Sequence, residues 1–165
     1  KVDDYGFMVL PTGMGVVRRI DNGRPIITME KLYWDVYPGQ WVLPMEKFPE
    51  QGKARAVPIA DGVTGKVLGF QRLPNMRLIQ PIRTPQMYLY IDKGSADGVA
   101  LGDIFEIRRR SGGISQDGTV KTDELMGTMQ IVHVRDKHAS AVLLGIKYAD
   151  IKAGAIVRQV AKLPS

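Results

Sequence analysis

Two stretches of this chain, residues 16–49 and 131–164, align end to end without a gap, and no other feature constrains the fold so tightly. VVRRIDNGRPIITMEKLYWDVYPGQWVLPMEKFP stands over IVHVRDKHASAVLLGIKYADIKAGAIVRQVAKLP. Eight of the 34 positions are identical: Val17/Val132, Asp21/Asp136, Tyr33/Tyr148, Asp35/Asp150, Gly39/Gly154, Val42/Val157, Lys47/Lys162 and Pro49/Pro164. Unrelated sequences would share roughly two at these residue frequencies. Conservative pairs fall where a buried strand demands apolar character: Val16/Ile131, Ile27/Val142, Val36/Ile151, Trp41/Ile156 and Phe48/Leu163. A duplicated β unit says much about architecture and little about chemistry.

The rest of the chain reads as short strands between turns. Helical periodicity is scarce, and no segment longer than about ten residues keeps an i, i+3, i+4, i+7 stripe. Phe7–Leu10, Gly15–Ile20 and Pro25–Leu32 form an opening meander, with Asp21-Asn22-Gly23 as a tight hairpin turn, because Asn-Gly supplies positive φ angles. Tyr37-Pro38-Gly39-Gln40 is a second turn, leading into an expected strand at Trp41–Leu43. Further strands are expected within Asp61–Gln71 and at Gln86–Ile91, Asp103–Arg108, Leu125–Val134, Ala139–Leu144 and Ala155–Val160. Three prolines between Pro74 and Pro85 disfavour a central strand there, and the polar stretch from Ser111 to Asp123 reads as a hairpin loop. This spacing predicts an all-β chain: two related small barrel- or sandwich-like units, the first of them incomplete. The division expected is 1–50 for the first unit, 51–85 for a linker with one or two strands, and 86–165 for the second unit.

Composition narrows the functional classes. With no cysteine there are no disulfides, thiolate–zinc sites or thiol nucleophiles. No stretch approaches the ~20 apolar residues of a membrane helix. The chain begins at Lys1 rather than Met and is expected to be a processed or trimmed product. A net charge of +6 favours an anionic partner, although most of the basic residues are interleaved with acids. The local exceptions are Arg18-Arg19 and Arg108-Arg109-Arg110.

The run GSADGVALGDIFEIRR (Gly94 to Arg109), followed by GTMQIVHVRDKHASAVLL and ADIKAGAIV, has the cadence Gly-x3-Gly-Val-x2-Gly-Asp-x-Phe-x-Ile. It resembles the C-terminal β-domain of bacterial envelope proteins, in particular flagellar assembly protein T-like domains and the extensions that follow LysM modules. Residues 86–164 cover that module, and residues 5–49 look like the latter half of another copy. No LysM module is visible, so glycan recognition is not inherited from that association. The resemblance implies a periplasmic or cell-envelope setting and a non-enzymatic role in a larger assembly, with no catalytic residue to carry over. The cadence also has a physical reading. Gly98 and Gly102 let the chain reverse before a buried strand, Asp103 accepts hydrogen bonds from turn amides, and Val99, Ile104, Phe105 and Ile107 supply core.

The remaining reactive side chains are read as structural. His133 and His138 have no partners at ligand spacing, and His133 aligns with Arg18. Asp3, Asp4, Asp21, Asp35, Asp61, Asp97 and Asp103 fall in turn contexts, with Asp35 and Asp150 expected to cap the following Gly turn. Leu10-Pro11-Thr12-Gly13 lacks the spacing and the location of a sorting signal, and phosphate-binding loops are absent. Tyr33, Trp34, Tyr37 and Trp41 form one aromatic cluster, with Trp41 expected in the core. A partner surface is expected at Arg18, Arg19, Trp34 and Tyr37, and at Arg108 and Arg110, which share a strand face. No cofactor, metal or small-molecule substrate is implied. The expected partners are protein subunits of an envelope or membrane complex, with membrane contact peripheral at most. A glycan or peptidoglycan surface at Trp34 and a nucleic-acid surface on the basic residues are the alternatives.

Overall fold

The computed structural model describes residues 9, 11–45, 55–71, 85–109 and 123–164. The strand expected at Phe7–Leu10, the loop over 111–122 and Arg110 lie outside them, apart from Val9. Among the described residues nine strands follow in chain order: β1 Gly13–Asp21, β2 Arg24–Leu32, β3 Val57–Pro58, β4 Thr64–Phe70, β5 Tyr88–Ile91, β6 Ile104–Arg109, β7 Glu124–Val134, β8 Ala139–Ile146 and β9 Ile156–Lys162. One 3₁₀ turn at Ser95–Asp97 is the only helical element among the described residues. No helix among them is long and apolar enough to cross a membrane. The chain is all-β. It separates into two compact units, a smaller one over Phe7–Lys47 and a larger one that comprises Phe48–Ser165 and Lys1–Gly6.

The larger unit is a closed barrel. Around it the strands run β9-β4-β5-β8-β7-β6, and the β9–β6 pairing closes the ring, with β3 added beside β4 on β9. All pairings are antiparallel. Closure removes the sheet edges that an open sheet exposes. Register shifts in β4–β5, β6–β7, β6–β9 and β7–β8 bend the staves as closure requires. Residues 51–85, expected to be a linker with one or two strands, supply β3 and β4, and β4 is a stave of the barrel. The alternation GKVLGF allowed this, but only pairing with β9 and β5 reveals it.

Strand alternation fills the barrel. Leu89 and Ile91 on β5, Phe105 and Ile107 on β6, Met129 and Ile131 on β7, Ala141 and Leu143 on β8 and Val157 on β9 are all buried. Burying a side chain of this size fully contributes roughly 1.5–3 kcal/mol. Val99 also joins the core as expected, whereas Ile104 is half-buried because it alternates with Phe105.

The barrel has an internal two-fold pattern. Exchanging β4, β5 and β6 for β7, β8 and β9 leaves every neighbour relation around the ring unchanged. The third strand of each half starts two residues after a left-handed glycine. Gly102 (φ +85°) precedes β6 and Gly154 (φ +87°) precedes β9. Each glycine sits at the third position of a turn closed by an amide–carbonyl bond, Asp103 N–H to Ala100 O at 3.3 Å and Ala155 N–H to Lys152 O at 3.1 Å. A positive φ at that position is what restricts it to glycine.

The smaller unit is a two-stranded sheet, β1 against β2. Asn22 and Gly23 have φ of +47° and +75°, as a tight two-residue hairpin needs. The repeat aligns this hairpin with β7–β8; the end of β1 and both limits of β2 agree within two residues, whereas β7 starts four residues before the counterpart of Gly13. The pairing differs by two residues, because four residues rather than two join β7 to β8. Val16 faces Thr28, whereas Ile131 faces Ala141, the counterpart of Ile26. The next turn is kept: Gln40 N–H bonds Tyr37 O at 3.4 Å around Gly39, whose φ is +89°. There the likeness stops.

Trp41–Leu43, expected as a strand, forms none, and Trp41, expected in the core, is 91% exposed. The reason is topological. Its counterpart β9 pairs with β3, β4 and β6, and never with β7 or β8. A third strand of this kind finds no partner inside its own half.

Candidate docking surface

The aromatic cluster of the smaller unit is held by the start of its own hairpin. Thr12 O accepts the amides of both Tyr33 (2.9 Å) and Trp34 (3.0 Å), which brings the chain after β2 back beside β1. Tyr33 Oη reaches Met14 Sδ at 2.9 Å. Gln40 Oε1 accepts the Tyr37 amide at 3.1 Å and the Thr12 hydroxyl at 3.3 Å, so Gln40 caps the glycine turn. The expected cap, Asp35, instead accepts the Tyr37 hydroxyl at 3.1 Å. That hydrogen bond and the carboxylate charge push the Tyr37 hydroxyl above its ordinary pKa. The result is a broad open groove lined by Met29, Leu32, Tyr33, Trp34, Val36 and Tyr37, with Asp35 at its margin. Trp34 and Tyr37 are both exposed.

Arg18 and Arg19 do not line this groove. Arg18 lies at a register break of β1 and its guanidinium is 3.5 Å from Glu30 Oε1 on β2. Arg19 faces Ile26 across the hairpin. Within the described residues, then, Trp34 and Tyr37 come together on one surface and the arginine pair lies apart from it.

The second expected patch is differently arranged. Arg108, half-buried, gives Nε and Nη2 to Glu106 Oε2 and Nη1 to the Asp123 carbonyl. It lines a solvent-open cleft with Asp61, Thr64, Asp123 and Arg158. Arg158 in turn donates to Ala60 O at 2.9 Å. Arg110 lies outside the described residues.

Arg109, read in the sequence only as the middle of a basic triplet, is the centre of an ion-pair cluster. It bonds Glu124 Oε2 at 2.8 Å and Asp150 Oδ2 at 2.7 Å, and its guanidinium lies 5.6 Å from the Tyr148 ring centre. Asp150 is therefore an ion-pair partner and not a turn cap. The Tyr148 hydroxyl donates to Glu124, which raises the tyrosine pKa and, together with Arg109, lowers that of the carboxyl. Arg109 faces Glu124 in the β6–β7 register, a cross-strand charge pair legible only once that register is known.

Among the described residues of the barrel two polar side chains are buried, Asp103 and Gln159. Asp103 Oδ2 accepts the Ala100 amide at 2.8 Å, the turn role expected of it, and also the Gln159 carboxamide at 2.5 Å. Gln159 Oε1 accepts the Val63 amide at 3.2 Å. Asp103 Oδ1 is buried without a hydrogen-bond partner. Burial raises the Asp103 pKa, outweighing the Ala100 amide, the nearby Lys162 charge, Gln159 and the Leu163 amide.

His133 lies on β7 and His138 just before β8, both half-buried. Burial, then the charges of Arg135 and His133, lower the His138 pKa. No group of three His, Cys, Asp or Glu side chains placed to hold a metal occurs among the described residues. No family model, no curated protein and no solved structure matches this chain.

Proposed function

We propose that this chain is a non-enzymatic accessory or scaffold subunit of a bacterial cell-envelope complex, docking on a membrane assembly from the aqueous side. The observation that carries the reading is the exposed Trp34–Tyr37 groove on a small sheet separate from the barrel. Large aromatic side chains ringed by apolar neighbours are what protein interfaces use as anchors. A lone two-stranded sheet is marginal in water, so a partner that covers it stabilises it. The envelope setting follows from the Gly94–Arg109 cadence and its resemblance to envelope β-domains. Flagellar, secretion and energy-transducing assemblies suit it equally.

Arg18, Arg108 and Arg109 each meet a carboxylate, which weighs against a nucleic-acid surface built from them. A glycan surface is the second reading, favoured by an exposed indole between two tyrosines that could stack on a sugar ring.

The test is co-sedimentation with native envelope membranes and with protein-free liposomes of the same lipids. Binding is expected on native membranes only. It should weaken by roughly tenfold or more in Trp34→Ala/Tyr37→Ala, each anchor contributing about 1–2 kcal/mol. Equal binding to bare liposomes, or unchanged binding of the double variant, overturns the proposal. Retention on purified peptidoglycan sacculi that is lost in Trp34→Ala would select the glycan reading.

A further inference from the structure

We propose that the Phe7–Lys47 unit is a half-barrel, and that it closes against the same unit of a second copy of this chain to make a six-stranded barrel about a two-fold axis. The first support is what the repeat leaves uncovered. Val16, Ile26, Val36 and Val42 correspond to Ile131, Ala141, Ile151 and Val157, which are at most 1% exposed inside the barrel, yet the four stand 40–70% exposed here. The smaller unit thus keeps apolar side chains at core positions of a barrel it does not complete. Exposed together, such residues mark an interface.

The second support is the two-fold pattern of the complete barrel. Its halves, β4–β5–β6 and β7–β8–β9, have the same connectivity and cover each other by an exchange that leaves the strand order intact. One half is therefore covered by another of its own topology. A two-fold dimer supplies that arrangement from identical chains. Three strands from each copy give the six of the observed ring.

The third support is the Trp41–Leu43 segment. It follows the same left-handed glycine turn as β6 and β9 but has no strand to join. In the barrel, the first three residues of β6, Ile104 to Glu106, pair with Gln130 to Thr128 of β7, which correspond to residues 15 to 13 of the smaller unit. Trp41–Leu43 of one copy would run along that stretch of the other. Arg18 and Arg19 fall beyond it, so the seam brings no like charges together.

This closing face shares Val36 with the aromatic groove, whose other apolar positions lie off it. Met29, Leu32, Trp34 and Tyr37 correspond to Leu144, Lys147, Ala149 and Lys152, all exposed on the barrel. A closed pair therefore still presents two aromatic grooves, and the inference stands or falls independently of the proposed function.

Sedimentation velocity of the full chain tests it. The 18.3 kDa species should give way to one of twice that mass as concentration is raised from about 1 to about 200 µM. Val16→Asp and Val42→Asp should hold the chain at 18.3 kDa throughout without moving the barrel's melting transition, while Trp34→Ala/Tyr37→Ala should still dimerise. A second readout does not depend on those variants folding. In a Trp34→Phe background, emission from Trp41 should shift to shorter wavelength with concentration as the exposed indole becomes covered. A single 18.3 kDa species at every concentration, an unmoved Trp41 spectrum, or a dimer that survives Val16→Asp and Val42→Asp would overturn the proposal.

Discussion

Replacing Asp103 by Ala removes the acceptor of two donors at once, the Ala100 amide and the Gln159 carboxamide. A donor left unpaired in the interior costs about 1–3 kcal/mol, so the two together cost about 2–6 kcal/mol. Domains of this kind are stable by only roughly 5–15 kcal/mol, so Asp103→Ala brings the barrel close to unfolding. Asp103→Asn acts differently. It keeps an acceptor oxygen for both donors and removes the ionisable group, one of whose oxygens has no partner. Because burial raises the Asp103 pKa in the folded barrel, the native state holds that proton more tightly than the unfolded chain does. The associated stability is fully present below the ordinary carboxylate range and is lost as pH rises through the raised folded value. Asp97 and Glu124 have the opposite sign. Their pKa values are lowered, chiefly by hydrogen bonds with Lys93 and Tyr148 respectively, so their contribution is lost as pH falls. The difference between wild type and Asp103→Asn cancels both. Urea unfolding of the two proteins from about pH 3 to about pH 8 measures it. The Asn variant is expected to gain on wild type as pH rises. A flat difference, or wild type gaining on the variant, refutes the assignment of this carboxyl to a site that disfavours its charge.

Three further substitutions test the packing and the turns. A Cβ on Gly62 would lie 1.8 Å from the Gln159 carbonyl oxygen, so Gly62→Ala must push β9 and the Gly62–Val63 backbone apart, lowering stability by about 2–4 kcal/mol in urea unfolding. Val157→Ala empties part of the core and should cost about 2 kcal/mol, while Val42→Ala at the matching repeat position should change barrel stability by less than about 0.5 kcal/mol. Gly154→Ala forces a side chain into the left-handed region at φ +87° and should cost roughly 1–2 kcal/mol, whereas Gly39→Ala, with a similar φ, should leave the barrel's thermal transition in place.

Much of the local structure was legible in the residues. Asn22-Gly23 announces a hairpin because few other pairs tolerate two positive φ angles in succession. Pro38-Gly39 and Gly102-Asp103 announce turns for a related reason, and the alternation in IFEIR and YLYI marks strands that cover a core with one face. The aromatic site was legible in part: Trp34 and Tyr37 do share a groove, while Arg18 and Arg19 stand away from it. The Arg109 cluster was not legible, since its partners Glu124 and Asp150 are 15 and 41 residues distant and meet it only through strand register and the closing of the barrel. Asp103 was readable as a turn residue, but its contact with Gln159, 56 residues on, was not.

The sequence by itself thus determined where the chain turns and which faces of its strands are apolar, because backbone φ preferences and side-chain alternation act over two to eight residues. The tertiary structure alone decided which of those segments became strands. β9 and Trp41–Leu43 share a turn, a spacing and an apolar start, yet only β9 is paired, because β4 and β6 lie beside it. Backbone hydrogen bonds of a sheet are made with another strand, so the partner's presence settles the outcome, and that information lies outside the segment.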